Sequence, residues 1–441
     1  MLHTQHNKSL AATVELSLTS PMFQELGPDA RELLGVVAFF PQGVNESNFD
    51  WLFPTHSDGT SIFDAFCNLS LTYQSGGFVT MLAPLRDYLY PNDPMSSQLL
   101  RATRGHYFTR LSVDVVPGYP GPEEMRWIMS EDANVEHLID VFTTADANSD
   151  DIWKTCAHFL EHLYWHKPQL VVLGPKVEGL PGGHPSKPRC LFELSWLFLS
   201  VGNHAESKRL LSQTLKLWKE QGDDLQVAET SVFLADAHWL LRLYREGMPQ
   251  AKEALGIYER LGNAVGQARS LQRLARLLCG DNQLDAAMDA ASRALRLSSD
   301  EGNQCLVYQS HLLLGGICRT KGEAENTIDH FETALKIAPS VNWYGAQFRT
   351  HYSLAELFLD EGRFSDAQIH IEHSKSLAAD DAYGLGRAME LQAGVWYRQR
   401  RLEEAKSEVL CATEAFEKLG AAPDLERCRG LLQDIRKEQG T

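Results

Sequence analysis

A repeat of about 40 residues runs through the second half of the chain and constrains its fold more than any other feature. Loop-type residues recur at spacings of 40, 40, 40, 40 and 38, namely Gly202, Arg242, Asn282, Gly322, Gly362 and Arg400. Seven residues before each comes a small residue: Ser195, Ala235, Ala275, Gly315, Ala355 and Ala393. Twelve residues after each comes another: Thr214, Ala254, Ala294, Ala334, Ser374 and Ala412. Small residues at two fixed sites let helices approach closely, so the repeat predicts six stacked helical hairpins.

The clearest repeat unit covers residues 312–339, LLLGGICRTKGEAENTIDHFETALKIAP, and resembles a tetratricopeptide repeat. Its residues match the family's L, G, G, F, A and P positions at Leu314, Gly315, Gly322, Phe331, Ala334 and Pro339. The resemblance implies an all-α, right-handed solenoid with a groove for a protein or peptide ligand. We expect six such hairpins over residues 188–423 and a lone capping helix over 424–441.

The front of the chain lacks this period and is predicted to fold differently. An apolar helix is expected to end at Pro41, a short helix to lie around Asn48 to Phe53, and an amphipathic helix to span Ser61 to Leu71. The pair Gly76-Gly77 then introduces a strand-like run, FVTML. Three helices and a small β ribbon predict a winged-helix-like domain over residues 10–92. A helical linker is expected over residues 93–187.

A second resemblance covers nearly all of the chain from about residue 10. The stretch ELSLTSPMFQELGPDARELLGVVAFFPQGV is similar to the winged-helix segment of fungal NOD-like receptors, which are signalling ATPases of the NB-ARC/NACHT class. FVTMLAPLRDYL resembles the end of that segment. SEDANVEHLIDVF and FLEHLYWHKPQLVVLGPKVEGLP resemble the linker before those receptors' repeats. The resemblance implies fungal self/non-self or immune-type signalling, with the solenoid as the sensor.

The chain departs from that family at its nucleotide-binding motifs. It contains no Gly-Lys dipeptide, which the phosphate-binding loop G-x-x-x-x-G-K-[ST] requires. Met81 is followed by Leu82 and Ala83, where these ATPases often carry His and Asp. We therefore predict no nucleotide site and no cofactor in this chain. A regulatory protein that docks in trans on a nucleotide-binding partner is an alternative reading of the same features.

Charge and composition exclude two classes of partner. The net charge is −17, which opposes binding to nucleic acid because that binding depends on Lys and Arg displacing counterions. The mean hydropathy is −0.27, and no run of 18 apolar residues is present to cross a membrane. The start of the sequence has no secretory signal pattern, and the eight cysteines include no C-x-x-C pair. We expect a soluble, cytoplasmic protein with free thiols.

One stretch matches a catalytic motif. His158, Glu161 and His162 fit the pattern H-x-x-E-H, in which two histidines bind zinc and the glutamate activates a water molecule. A zinc hydrolase is therefore an alternative function. The pattern fixes only three positions in a chain with 16 histidines, and the surrounding helix is amphipathic. We interpret the residues as part of the linker and predict no catalytic residue and no bound metal, with His158 and His162 as weak metal candidates.

The candidate ligand site is a set of charged residues in the first helices of the hairpins. Six residues before each small residue come Arg189, Glu229, Arg269, Gln309, Arg349 and Arg387. In tetratricopeptide arrays this position tends to face the concave groove. Further groove residues are expected to be Asp236, Arg276, Arg319, Glu356 and Arg398. The arginines predict binding of a carboxylate-bearing or phosphorylated peptide through forked contacts. The alternative is a solvated face with ion pairs between residues four apart.

Overall fold

The computed structural model describes residues 12–27, 29–48, 59–92, 96–111, 122–145, 148–166, 173–200, 202–341, 345–378, 381–419 and 422–440. The chain divides into two compact units, Met1–Leu217 (unit 1) and Trp218–Thr441 (unit 2). The domain limits that the sequence places at residues 92, 187 and 423 remain predictions. Among the described residues, no helix has the length and apolar character needed to cross a bilayer.

Unit 1 begins with short helices around a small sheet. Its first elements are α1 (residues 12–18), α2 (Pro21–Gln24), α3 (Asp29–Phe39), β1 (Val44–Asn45), a 3-10 turn (Glu46–Asn48), α4 (Gly59–Asn68), β2 (Tyr73–Ser75), β3 (Phe78–Thr80) and α5 (Ala83–Asn92). The three strands are antiparallel in the order β1-β3-β2, and Val79 pairs with both Val44 and Gln74. The pair β2–β3 is the β ribbon that the sequence predicted, and β1 is a third strand that the sequence analysis did not predict. Part of the short helix expected around Asn48 to Phe53 lies outside the described residues.

Helices complete unit 1 and bury a common apolar core. They are α6 (Ser97–Leu111), α7 (Pro122–Ala145), α8 (Asp150–His166), α9 (Gly174–Gly179), α10 (Lys187–Ser200) and α11 (His204–Gln221), whose last residues belong to unit 2. Phe40, Phe63, Phe66 and Trp153 are among the largest fully buried side chains of this core. The apolar run of α3 packs into it, because Leu33 through Phe40 are all buried.

A carboxylate is fully buried in unit 1 and is held by three donors. Glu131 on α7 accepts a hydrogen bond from Asn48 Nδ2 at 2.8 Å, from Tyr107 Oη at 2.9 Å and from Asn134 Nδ2 at 2.8 Å. Asn134 Nδ2 also donates to Gly43 O at 2.9 Å, just before β1. Buried polar groups are costly unless they are hydrogen-bonded, so this network ties α7 to α6 and to the segment around β1.

Unit 2 is a row of helical hairpins. Its helices are α12 (Asp224–Leu240), α13 (Tyr244–Arg260), α14 (Ala264–Gly280), α15 (Leu284–Asp300), α16 (Gln304–Lys321), α17 (Ala324–Ile337), α18 (Ala346–Asp360), α19 (Phe364–Leu377), α20 (Ala382–Arg398), α21 (Leu402–Leu419) and α22 (Ala422–Gln439). Hairpins 2 to 6 are the successive pairs from α12–α13 to α20–α21, and α10–α11 is hairpin 1. This architecture confirms the predicted all-α fold with a small β region.

The repeat register read from the sequence coincides with the backbone geometry of the hairpins. All six aligned loop residues adopt a left-handed conformation, with φ from 58° at Arg242 to 78° at Gly202 and Gly322. This conformation ends a helix and favours glycine or asparagine. The recurring small residues are buried where two helices meet, including Ala275, Ala294, Ala334 and Ala355, each of which has no exposed surface. Close approach of the helices at these sites is therefore part of the fold.

Two adjacent glycines on α16 should respond oppositely to substitution by alanine. A Cβ on Gly315 would lie 2.5 Å from Cε1 of Phe331, whereas a Cβ on Gly316 would have no atom within 4 Å. We expect Gly315→Ala to cost about 1–3 kcal/mol of stability through overpacking. Gly316→Ala should stabilise by up to about 1 kcal/mol, because alanine restricts the unfolded chain and favours helix. Urea unfolding of both variants measures the difference, and changes of the same sign would contradict the assigned register.

Candidate ligand-binding groove

The first helices of the hairpins in unit 2, together with the last helix α22, form a continuous wall. Helix α12 contacts α14, α14 contacts α16, α18 contacts α20, and α20 contacts α22. Tyr308 on α16 completes the row by donating its hydroxyl to Ala346 O, at the start of α18, at 2.7 Å. Each second helix instead packs between the first helix of its own hairpin and the next one. We call the wall the groove face, and its predicted members are Glu229, Asp236, Arg269, Arg276, Arg319, Arg349, Glu356, Arg387 and Arg398.

At the α12 end, carboxylates of one hairpin bind arginines of the next. Arg269 Nη1 lies 3.1 Å from Glu229 Oε1. Asp236 accepts from two guanidiniums, with Arg273 Nε at 3.0 Å and Arg276 Nη1 at 3.4 Å. These ion pairs join α12 to α14 and bring four of the predicted groove residues together.

The middle of the groove face repeats this arrangement with the charges reversed. Arg319 on α16 lies 2.9 Å from Glu356 Oε2 and 2.8 Å from Asp360 Oδ2, both on α18. Arg398 on α20 donates to Leu359 O, in the last turn of α18, at 3.2 Å. A guanidinium at that end is favoured because the last carbonyls of a helix lack partners within the helix.

The α20 end of the groove face combines an aromatic ring with acidic groups. Arg387 donates to Tyr352 Oη at 2.9 Å, and its guanidinium carbon lies 4.7 Å from the centroid of that ring. Glu390 lies 3.9 Å from Arg387 Nε and 2.8 Å from Arg427 Nε on α22. Burial raises the pKa of Tyr352 despite the nearby guanidinium, so the phenol stays protonated.

One predicted groove residue belongs to unit 1. Arg189 on α10 lies 2.6 Å from Glu193, one helical turn later, and Glu193 is itself buried. This is the pairing between residues four apart that the alternative interpretation expected. The ion pairs of Arg269, Arg276 and Arg319 on the groove face are different, because they join residues about one repeat apart in the sequence.

Sequence reasoning found some of the partners of the predicted groove residues and missed others. Arg273, Tyr352, Asp360 and Glu390 were not among the predicted residues, although each contacts one of them. A search for opposite charges separated by about 40 residues would have found Glu229 with Arg269. The groove face is thus a ladder of contacts between hairpins, in which several side chains keep a quarter or more of their surface exposed.

The residues of the H-x-x-E-H motif lie on α8. His158 is partly buried there, and the side chains of Glu161 and His162 lie outside the described residues. Within the described part of the chain, no three His, Cys, Asp or Glu side chains are arranged to hold a metal ion. A zinc hydrolase accordingly remains the alternative function that was stated from the sequence.

Comparison with known proteins identifies the fold. No protein-family model matches the chain. A stretch of 139 residues, 32% of the chain, is 22% identical to the 43 kDa receptor-associated protein of the synapse from Tetronarce californica. The matched stretch spans 34% of that protein's length.

Two solved structures are similar over most of the chain. One is a signal transduction ATPase with numerous domains that carries a tetratricopeptide repeat sensor, from Pyrococcus horikoshii; it has a TM-score of 0.56 and 14% identity, and the match covers 96% of this chain and 63% of that one. The other is a Rap protein complexed with competence and sporulation factor, with a TM-score of 0.50, 13% identity, and coverage of 78% and 99%. At these identities the similarity concerns the fold, and it confirms the predicted tetratricopeptide-like solenoid.

Proposed function

We propose that this chain is a non-catalytic interaction protein whose groove face binds a protein or peptide ligand, as the sensor region of a fungal NOD-like receptor would. The observation that carries the proposal is the continuous wall of first helices in unit 2. Its side chains reach across successive hairpins and remain partly exposed. Such a wall offers an extended peptide many polar contacts on a preformed surface, which lowers the cost of ordering during binding.

The comparison with the archaeal signalling ATPase supports the same proposal. That protein carries a tetratricopeptide repeat sensor, and its fold matches 96% of this chain. The sequence resemblance to fungal NOD-like receptors covers the same region. Since this chain has no phosphate-binding loop, we infer that recognition, and not nucleotide hydrolysis, is the contribution of these residues.

The groove can be tested at Gly316, which has open space around it. Gly316 follows the small residue Gly315 and is therefore equivalent to Asp236, Arg276 and Glu356 on the groove face. A photo-crosslinking residue, p-benzoylphenylalanine, placed at position 316 should capture the ligand in native cells, and mass spectrometry should identify it. The matched control is position 256 on α13, a second helix, where an added Cβ also meets no atom within 4 Å.

Binding of the captured ligand should then depend on the same position. We expect Gly316→Trp to weaken binding by about tenfold or more, because a large ring would occupy the groove, as a shift of 1.4 kcal/mol corresponds to a factor of ten. Gly256→Trp should bind normally, and both variants should melt near the wild-type temperature. Crosslinking at position 256 but not at 316, or unchanged affinity of Gly316→Trp, would place the ligand elsewhere and refute the proposal.

A further inference from the structure

The arginines of the groove face are most concentrated near Asp236. Arg273 and Arg276 share this one carboxylate, each using a different oxygen. The contact from Arg273 is 3.0 Å and that from Arg276 is 3.4 Å, so the second guanidinium is bound more loosely. Arg276 also keeps 29% of its side-chain surface exposed, against 15% for Arg273. Arg276 is thus the guanidinium with more room for a further acceptor.

Electrostatic repulsion between the arginines is a second reason why Arg276 has room for a further acceptor. The pKa of Arg276 is lowered to about 10, chiefly by burial and also by the positive charges of Arg273 and Arg349, while Asp236 opposes the shift. Arg349 lies on α18, two hairpins further along, and its charge still acts on Arg276. Helix α16 follows α14 and precedes α18 in the wall, and it carries Gly316 at the position equivalent to Arg276, so it adds no side chain at that position. Like charges held together in a partly buried place favour the arrival of an anion.

Trp239 supplies an apolar surface beside the same guanidinium. The Arg276 guanidinium carbon lies 5.5 Å from the centroid of the Trp239 ring, and 37% of Trp239 is exposed. This cation–π contact helps to hold the guanidinium in place beside the ring. An apolar side chain of a ligand could cover the rest of the ring.

We propose that Arg276, Arg273 and Arg349 form a carboxylate-binding site on the groove face, which takes an Asp or Glu side chain of an acidic peptide whose neighbouring residue is apolar and covers Trp239. The inference rests on the proposed function and names the chemistry of the ligand. A singly charged carboxylate fits better than a phosphate dianion, because Asp236 stands between two of the arginines and would repel the second charge. Asp236 thus orients the guanidiniums and limits the charge that they accept.

A peptide library tests the site on the full chain. The probe is a set of fluorescent 12-residue peptides in which a Leu precedes one fixed position, occupied by Glu, Gln or phosphoserine, while the remaining positions are random. We expect wild type to bind the Glu set roughly tenfold more tightly than the Gln set, and this preference should shrink as salt rises. Arg276→Gln should abolish the preference. The control Arg260→Gln removes an arginine of α13, a second helix, that pairs with Asp224, and it should retain the preference.

The outcomes separate the site from the groove itself. If Arg276→Gln retains the preference for Glu, or if wild type prefers phosphoserine, the carboxylate site is refuted. If peptides bind without a preference for Glu and Gly316→Trp still prevents their binding, the proposal of a ligand-binding groove is supported and the carboxylate site is refuted. If no peptide set binds although crosslinking at position 316 captures a ligand, the carboxylate site is refuted and the proposed function stands; if neither occurs, both fail. Should Arg276→Gln melt at a much lower temperature, Arg349→Gln, which changes a more exposed side chain, replaces it with the same expected loss of preference.

Discussion

Replacing Glu131 by leucine is expected to lower the free energy of unfolding of unit 1 by about 3–5 kcal/mol, which is large for a single substitution. The side chain has no exposed surface and accepts hydrogen bonds from Asn48, Tyr107 and Asn134. Leucine has a similar volume but no acceptor, so three buried donors would lose a partner. Each unsatisfied buried donor costs about 1–3 kcal/mol, and rearrangement recovers part of the sum.

Urea unfolding, with hydrogen exchange of residues 122–145 to assign the change to unit 1, measures this effect. The matched control is Glu136→Gln on the same helix. Burial raises the pKa of Glu136, and the negative charges of Asp132 and Asp140 raise it further, so removal of its charge should be close to neutral or slightly stabilising. Equal destabilisation by both substitutions would show that the network around Glu131 makes no special contribution to stability.

Acid should destabilise unit 2 through two histidine pairs. His311 and His330 approach with their Nδ1 atoms 3.1 Å apart, and His351 and His370 with theirs 2.8 Å apart. The two pairs are 40 residues apart in the repeat, and each joins the two helices of one hairpin. A hydrogen bond between two imidazoles needs one ring nitrogen as acceptor, so a doubly protonated pair would lose the bond and repel.

The direction of the pH effect follows from the pKa values. Burial lowers the pKa of all four histidines, and that of His351 falls to about 4, with the charges of His370 and His373 as further causes. Asp329 acts in the opposite sense on His330, and Asp366 and Glu332 do so on His370. Because the folded pKa lies below the unfolded value of about 6.5, the unfolded chain binds more protons between them. Stability should be complete above about pH 6.5 and decline toward pH 4.

Thermal unfolding between pH 7 and pH 4 measures this decline. For His351 alone, a shift from 6.5 to about 4 corresponds to at most about 3 kcal/mol. A variant with Gln at positions 311, 330, 351 and 370 should lose less stability on acidification than wild type does. Identical pH profiles for the two proteins would assign the acid sensitivity to other groups, such as His106 in unit 1, whose pKa burial also lowers to about 4.

The ion pairs between hairpins separate what the sequence could predict about the site from what it could not. The sequence places Glu229 and Asp236 in one first helix and Arg269 and Arg276 in the next, and in the structure they form ion pairs between α12 and α14. The period cannot tell whether an arginine is bound by the next hairpin or open to a ligand, since both cases present the same residue at the same position. Distances between hairpins decide that, and they depend on how the small residues let neighbouring helices approach.

The sequence by itself determined the repeating part of this protein. Left-handed loop residues such as Arg242 and buried alanines such as Ala334 recur because every hairpin has the same turn and the same close contact between its helices. These local requirements therefore appear in the sequence as a period. The tertiary structure alone decided what depends on contacts between distant segments. Strand β1 is two residues long and exists through its pairing with β3, and Glu131 is tolerated in a core because Asn48, 83 residues earlier, reaches it. Such contacts have no period, so only the folded chain reveals them.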